Sequence, residues 1–559
     1  MTKILKKNKV RLFGKPIVPG RFHHDEAGLR LDCRVEAVPG GWLVTGTAGG
    51  RGRRIAIMDF RADGPCLVNN WQSWGPTDWI SPGSRFPKAE AVFEKKRVSL
   101  FTPIPDVWAS SLVSDYFCAT AKTLAGWLSS RIAHPYFVVD ERRVTGFLDF
   151  FGAPVADGTP LEPLLILEEG SVEQRLGRYA DSVSRENGVT LAVWNPVGWC
   201  SWYHYFTTVT WWDVEINLDL ARGRYPFEVF QVDDGYEQDI GDWTDRHYPW
   251  PTLPEMAKAI ADRGFVPGIW TAPFSASHTS RLFSEHPDWM VAEAARPKPC
   301  YYGWGKTIFA LDTSRDAVKA WLRGLFRMLQ EAGFHYFKID FLFSAAMPGD
   351  RYADVSPINA YRQGLQVIRE SVGRDFVLGC GAPLLPSVGL VDGMRVGEDT
   401  APFWNSGLAA LEGVNAYHAL KNSLMRQFMH DRLWRNDPDC ILLRKRETEL
   451  TENERRLYAL TCGALDNMII QSDDLGFVDE AGLDLLRETL SMRGGRAGVL
   501  PGPVKDTFII HSQGGPAGDF RLLANLSDKP EPILDTLVPA RSAVKLVASG
   551  RAGNSEDAS

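Results

Sequence analysis

His335-Tyr336-Phe337-Lys338-Ile339-Asp340-Phe341 is short, largely apolar and close to ending on a carboxylate. It reads as a buried strand that delivers an acid at its C-terminal end. Lys338 and Asp340 stand two residues apart, so on a strand they share one face. Gly393-Met394-Arg395-Val396-Gly397-Glu398-Asp399-Thr400 repeats the pattern, with Arg395 four residues before Asp399. A neighbouring cation favours the ionised form of a carboxylate, which suits a nucleophile. Two acids from different strands with unlike surroundings are what glycoside hydrolysis uses, one as nucleophile and one as acid/base.

Outward from these two stretches, strands alternate with helices from about Pro196 onward. The spacing predicts strands over 198–202, 227–233, 266–272, 336–341, 376–380, 394–397, 440–443 and 468–471, with helices over 252–262, 315–332 and 357–372. Eight such strands in roughly 290 residues fit a (β/α)8 TIM barrel, whose functional residues cluster at the C-terminal strand ends. Asp312, ahead of Thr313-Ser314-Arg315, reads as a helix N-cap.

The remaining chain reads as β structure. Leu31, Cys33, Val35 and Ala37 alternate with Asp32, Arg34 and Glu36, and further strands are predicted over 42–47, 54–60, 136–140 and 164–168. Gly46-Thr47-Ala48-Gly49-Gly50-Arg51-Gly52 lacks the Gly-Lys-Ser/Thr ending of a phosphate loop and reads as a hairpin turn. Ser171 and Gln174 fit a capping box, with Val172, Leu176, Tyr179 and Val183 on one helical face. The expected organisation is an N-terminal antiparallel β-sandwich over 1–170, a linker helix over 171–190 and the catalytic barrel over 191–492. A small C-terminal β domain over 493–550, with strands over 507–511 and 520–526, and a disordered tail over 551–559 complete it.

Composition narrows the function classes. The 559 residues carry a net charge of -7, which leaves no basic footprint for nucleic acid. No segment has the apolar length of a membrane span, and the basic start from Met1 to Lys7 lacks the apolar run of a signal peptide. Eight cysteines are scattered singly with no CxxC pair, so no zinc ribbon is signalled and a cytoplasmic location with reduced thiols is the simplest reading. Asp233, Asp234 and Asp340 have no histidine at ligand spacing, and Lys338 would repel a cation, so neither metal nor cofactor is expected. A Schiff-base role for Lys338 would leave the acids without a task. Nineteen tryptophans suit either sugar stacking or a large core.

In chain order the distinctive segments are Trp71-Gln72-Ser73-Trp74-Gly75, Gly198-Trp199-Cys200-Ser201-Trp202-Tyr203, Gln231-Val232-Asp233-Asp234-Gly235-Tyr236, Gly268-Ile269-Trp270, Phe337 to Phe341, Gly379-Cys380-Gly381-Ala382-Pro383 and Met394 to Thr400. Their order and spacing over most of the chain resemble the retaining α-galactosidases of glycoside hydrolase family 36. The resemblance implies Asp340 as nucleophile and Asp399 as acid/base. It further implies Asp233 and Asp234 on the 4- and 6-hydroxyls of the terminal sugar, and Trp270 lining the sugar pocket. Lys338 and Arg395 would be hydroxyl donors, Cys380 and Gly381 would contact the 2-hydroxyl, and Trp199 would join the binding set. Trp71 or Trp74 would close the rim. Where many members carry a Cys-Ser-Gly-Gly type segment, this chain has Cys380-Gly381-Ala382-Pro383. Glu398 beside Asp399 is a competing acid, and strand alternation lets only one of the two face the pocket.

The function expected from this resemblance is release of terminal α-galactose from small oligosaccharides or glycosides. Two alternatives on the same site stay open: α-N-acetylgalactosaminide hydrolysis, decided by room near Cys380, and raffinose-synthase-like galactosyl transfer. A non-catalytic sugar-binding relative would have no use for both acids. A homo-oligomer is compatible with the sequence.

Overall fold

The computed structural model describes residues 10–84, 102–405 and 414–547. The expectations for Met1 to Lys7 and for 551–559 lie outside the described residues.

Two antiparallel sheets form the N-terminal part, one of six strands and one of nine. In Leu29–Val38 the residues Leu29, Leu31, Cys33 and Val35 are buried and Arg30, Asp32 and Arg34 exposed, the pattern of a half-buried strand. Trp127 from one sheet meets Phe137 from the other at 6.4 Å between ring centroids. The glycine-rich run is not a turn. Gly46, Gly49 and Gly50 lie inside the long strand Gly41–Arg51, where a Cβ on Gly46 would stand 2.3 Å from the Asp32 carbonyl oxygen. Glycine is there to let neighbouring backbones approach. The helix Val172–Glu186 starts with the expected capping box between Ser171 and Gln174.

Eight parallel strands follow: β1 (Val197–Cys200), β2 (Val229–Val232), β3 (Val266–Thr271), β4 (Tyr336–Ile339), β5 (Phe376–Gly379), β6 (Gly393–Arg395), β7 (Arg435–Asp437) and β8 (Ile469–Gln471). Each pairs with its successor from β1 to β7, and β1 also pairs with β8. The β7–β8 seam is joined by Met468 N–H donating to the Asn436 carbonyl at 3.0 Å. The result is a nearly closed barrel.

The seventh strand departs from expectation. It is Arg435–Asp437, not the apolar run over 440–443. Asn436 and Asp437 are buried polar residues, so this strand carries no apolar pattern to be read. The run over 440–443 follows Asp439, which sits at φ 79°, and touches β8 through a single Ile441–Gln471 bridge.

Helices Leu253–Ala261, Asp316–Glu331 and Pro357–Val372 pack outside. Asp312 does not cap the second of these. Arg315 holds the N-cap position, while Asp312 is buried and accepts from Ser314 N–H at 3.1 Å and Tyr352 N–H at 2.7 Å.

Between β3 and β4 a small sheet rises over the barrel mouth, made of Ser275–Ser277, Pro299–Gly303 and Lys306–Ala310. Its hairpin turns at Trp304 and Gly305, with φ of 52° and 69°, the two positive values that a two-residue type I′ turn requires. A four-stranded antiparallel sheet, Arg496–Pro501 to Ser542–Val547, closes the chain and lies against helix Glu452–Ala464. Among the described residues no helix is long and apolar enough to cross a membrane.

Candidate active site

A pocket of about 310 Å³ opens at the C-terminal ends of the barrel strands. Asp233, Asp234, Trp270, Lys338, Asp340, Glu398 and Asp399 line it, together with Trp74, Trp202, Tyr301, Tyr302 and Trp304.

Asp340 follows β4 directly. Its Oδ2 accepts from Trp270 Nε1 at 3.1 Å and its Oδ1 from Phe341 N–H at 2.7 Å. Phe341 adopts φ 51°, a left-handed conformation that costs a bulky residue about 1 kcal/mol or more. The cost is met by packing: its ring stacks on Tyr301 at 5.2 Å and contacts Trp74 at 4.9 Å and Trp304 at 5.0 Å. Burial raises the Asp340 carboxyl above its ordinary range, against the pull of Lys338 and the Trp270 N–H. The sequence had suggested that Lys338 serves Asp340. Instead the ammonium bonds Asp233 Oδ2 at 2.9 Å and acts on Asp340 only through space.

Asp233 and Asp234 end β2, and the backbone swings at Gly235 with φ 122°, so the two adjacent carboxylates reach one pocket. Asp233 Oδ2 also accepts from Cys200 Sγ at 3.3 Å and from Gln231 Nε2. Asp234 Oδ2 accepts from Trp304 Nε1 at 2.7 Å. Burial pushes the Asp234 carboxyl up to about 6, with Asp233 and Asp340 adding to the rise. Behind it Glu237 is buried too, and burial with the Asp234 charge raises its carboxyl well above normal. The two acids favour holding one proton between them.

Glu398 and Asp399 both line the pocket, contrary to the alternation argument. The strand ends at Arg395, and beyond it the period of two no longer governs side-chain direction. Their partners differ. Asp399 Oδ1 pairs with Arg395 Nη2 at 2.6 Å, whereas Glu398 Oε2 faces His418 Nδ1 at 3.4 Å.

Five of the expected site residues lie behind the pocket wall. Trp199 is fully buried, stacks on Phe230 at 4.2 Å and donates to the Asp473 carbonyl at 2.8 Å, so it is core of the barrel wall. Trp71 is likewise buried, against His134 and Phe343; its neighbour Trp74 is the one at the pocket. Cys380 takes the Trp74 Nε1 donor at 3.4 Å and so stands one layer beneath the indole. Gly381 sits at φ 51° with the Trp74 ring 3.0 Å from where a Cβ would be. Arg395 is buried and reaches the pocket only through Asp399.

The residues that sequence reasoning passed over are Tyr301, Tyr302 and Trp304. The signal was present in Tyr301-Tyr302-Gly303-Trp304-Gly305, where an aromatic-Gly pair between strand-like runs marks a tight hairpin.

Two family models match the chain: the N-terminal domain of α-galactosidases over residues 34–168 and melibiase over 214–367. Alpha-galactosidase 1 of Pediococcus pentosaceus is 28% identical over 154 residues, 25% of this chain and 20% of that protein. The aligned stretches therefore span only about a fifth of the length of such curated relatives. The structure of TtGalA, an α-galactosidase of Thermus thermophilus in complex with p-nitrophenyl α-D-galactopyranoside, superposes with a TM-score of 0.69 at 26% identity, covering 89% of this chain and 98% of that one. The fold is shared with the family 36 α-galactosidase AgaA of Geobacillus stearothermophilus, with a TM-score of 0.61 at 13% identity over 95% of this chain and 82% of that one. With the barrel, the N-terminal sheets and the two model matches in agreement, the chain belongs to the α-galactosidases of glycoside hydrolase family 36.

Proposed function

We propose that the protein is a retaining α-galactosidase that removes terminal α-galactose from small oligosaccharides or glycosides. The observation that carries this reading is that Asp340 and Asp399 line one pocket with different partners, an indole N–H on the first and a guanidinium on the second. Asp340 attacks C1 and forms a glycosyl ester as Asp399 gives its proton to the departing oxygen. Asp399 then takes a proton from water, the water oxygen bonds C1, and the Asp340 carboxylate leaves. Two inversions give net retention.

Asp233 and Asp234 supply the sugar's hydroxyl acceptors, and Trp304 Nε1 fixes one of them. A buried carboxylate aimed at the axial 4-hydroxyl would be left unpaired by glucose, a strong source of discrimination. The Trp74 indole lies against Gly381 and Cys380, where the family resemblance puts the 2-substituent, and this crowding supports galactose over its 2-acetamido analogue.

Asp340→Gly is the deciding variant. Turnover of an aryl α-galactoside should be nearly abolished, with azide restoring part of it as β-galactosyl azide, and the wild-type enzyme should release α-galactose first by NMR. Wild-type-like turnover by the variant, or β-galactose as first product, refutes the reading.

A further inference from the structure

Asp439, two residues beyond β7, is buried and has no role in the mechanism above. Its Oδ2 lies 2.5 Å from Arg395 Nη2 and accepts from Thr400 N–H at 2.7 Å and from the Tyr203 hydroxyl. Its Oδ1 accepts from Cys440 N–H at 2.7 Å. The same guanidinium nitrogen reaches Asp399 Oδ1 at 2.6 Å and the Tyr203 hydroxyl at 3.3 Å. Arg395 is 1% exposed, while the Asp399 side chain is 34% exposed. One buried cation therefore stands between two carboxylates, one behind it and one at the pocket.

We propose that Asp439 is a positioning residue that controls how firmly Asp399 holds its proton, by neutralising Arg395 from behind. This rests on the reading of Asp399 as acid/base. A lone guanidinium beside Asp399 would favour the bare carboxylate, which cannot protonate a leaving group. With Asp439 ionised, the cation is already matched and pulls less strongly toward the bare Asp399 carboxylate. Burial of Arg395 and Asp439 removes the solvent that would otherwise screen that pair.

The other groups facing this cluster come from several elements. Tyr203 follows β1, Lys338 stands on β4 with Asp340 just beyond it, and Cys380 follows β5. Asp437 and Cys440 flank Asp439, with Asp437 Oδ1 accepting the Asp439 N–H at 2.9 Å, and Glu398 with His418 lies beside Asp399. The variants below leave the charge of every one of them in place. Burial and the charges of Asp399 and Asp437 push the Asp439 carboxyl up to about 6, against Arg395.

The test is the pH profile of kcat/KM, whose limbs report groups of the free enzyme. Two substrates are compared: raffinose, with a sugar leaving group, and 2,4-dinitrophenyl α-galactoside, which needs little proton assistance. Asp439→Asn keeps the shape and removes the charge. On raffinose its basic limb should move down by about one pH unit, an approximately tenfold loss above the wild-type limb, while the aryl substrate is nearly unaffected. A uniform loss with an unmoved limb overturns the proposal. Should Asp439→Asn fail to fold, Tyr203→Phe serves. It removes a donor that stabilises the Asp439 charge, so the limb should move in the same direction by less, and an unmoved limb again overturns the proposal. If Asp399→Ala loses equally on both substrates, the acid/base reading itself has failed; a normal Asp399→Ala phenotype with an unmoved limb removes only the role of Asp439.

Discussion

At the scale of single residues, the neighbours Glu398 and Asp399 separate by their partners. Asp399→Ala is expected to cripple hydrolysis of raffinose by about a hundredfold or more while sparing activated aryl donors in the first step. Glu398→Ala should keep the wild-type dependence on leaving group; stopped-flow release of the aryl group distinguishes them, and exchanged phenotypes would make Glu398 the acid. Asp234 adds a pH dependence. Its carboxyl is pushed up to about 6 by burial, so below that pH it is protonated and its hydrogen bonds to a sugar hydroxyl lose their charge assistance. KM for galactosides should rise as pH falls through about 6, and Asp234→Asn should flatten that rise, as read from KM across pH 5 to 8 (approximate limits set by the same titration).

At the scale of elements, the hairpin Pro299–Gly303 to Lys306–Ala310 does what no barrel strand does: it brings a donor over the mouth onto Asp234. Trp304→Phe keeps an aromatic ring, though a smaller one, and removes the N–H. Losing a hydrogen bond to a charged group costs about 1.5–3 kcal/mol, so kcat/KM on an α-galactoside should drop about ten- to a hundredfold. A change below threefold would mean that the indole only packs.

Elements also show what was legible in the sequence. β4 and the helix Pro357–Val372 were plain because apolar runs, caps and proline mark them. β7 was hidden because its residues face a polar network, so burial leaves no hydrophobic trace. Trp199 misled for the opposite reason: a tryptophan at a strand end near the active site looks the same in sequence whether it faces the pocket or the helices. That Asp233 and Asp234 reach one pocket was legible because Gly235 announces the turn that lets them converge.

At the scale of the molecule, the raised acids run counter to the usual stability trend. Asp234 and Asp439 each titrate near 6, against 3.8 for an ordinary aspartate. Between these values the folded protein binds more protons than the unfolded chain, so stability should increase as pH falls from about 7 toward 5. The penalty is present above the folded value and relieved below it. Urea unfolding at the two pH values should show a smaller rise in Asp439→Asn, and no difference from wild type would exclude that residue as a source.

Arg426 joins the N-terminal part to the barrel. It is fully buried, and it donates to the Ser73 carbonyl at 2.6 Å, Gly75 carbonyl at 2.7 Å, Thr77 Oγ1 at 2.8 Å, Asn69 Oδ1 at 3.2 Å and, on the barrel side, the Val396 carbonyl at 3.0 Å. Arg426→Met should cost about 3 kcal/mol or more by leaving buried acceptors unpaired. It should also raise KM by freeing the loop that carries Trp74. Loss of stability with an unchanged KM would show that the loop is held by other contacts.

That loop has a consequence for recombination between relatives. Trp74, a wall of the pocket, is encoded some hundred and twenty residues before the first barrel strand. A chimera that pairs one member's N-terminal sheets with another's barrel therefore exchanges more than a scaffold. It grafts a foreign indole against Cys380 and Gly381 and a foreign set of acceptors onto Arg426. Substrate preference should travel partly with the donor of the N-terminal half, and a barrel expressed without that half would be an enzyme missing one side of its own binding site.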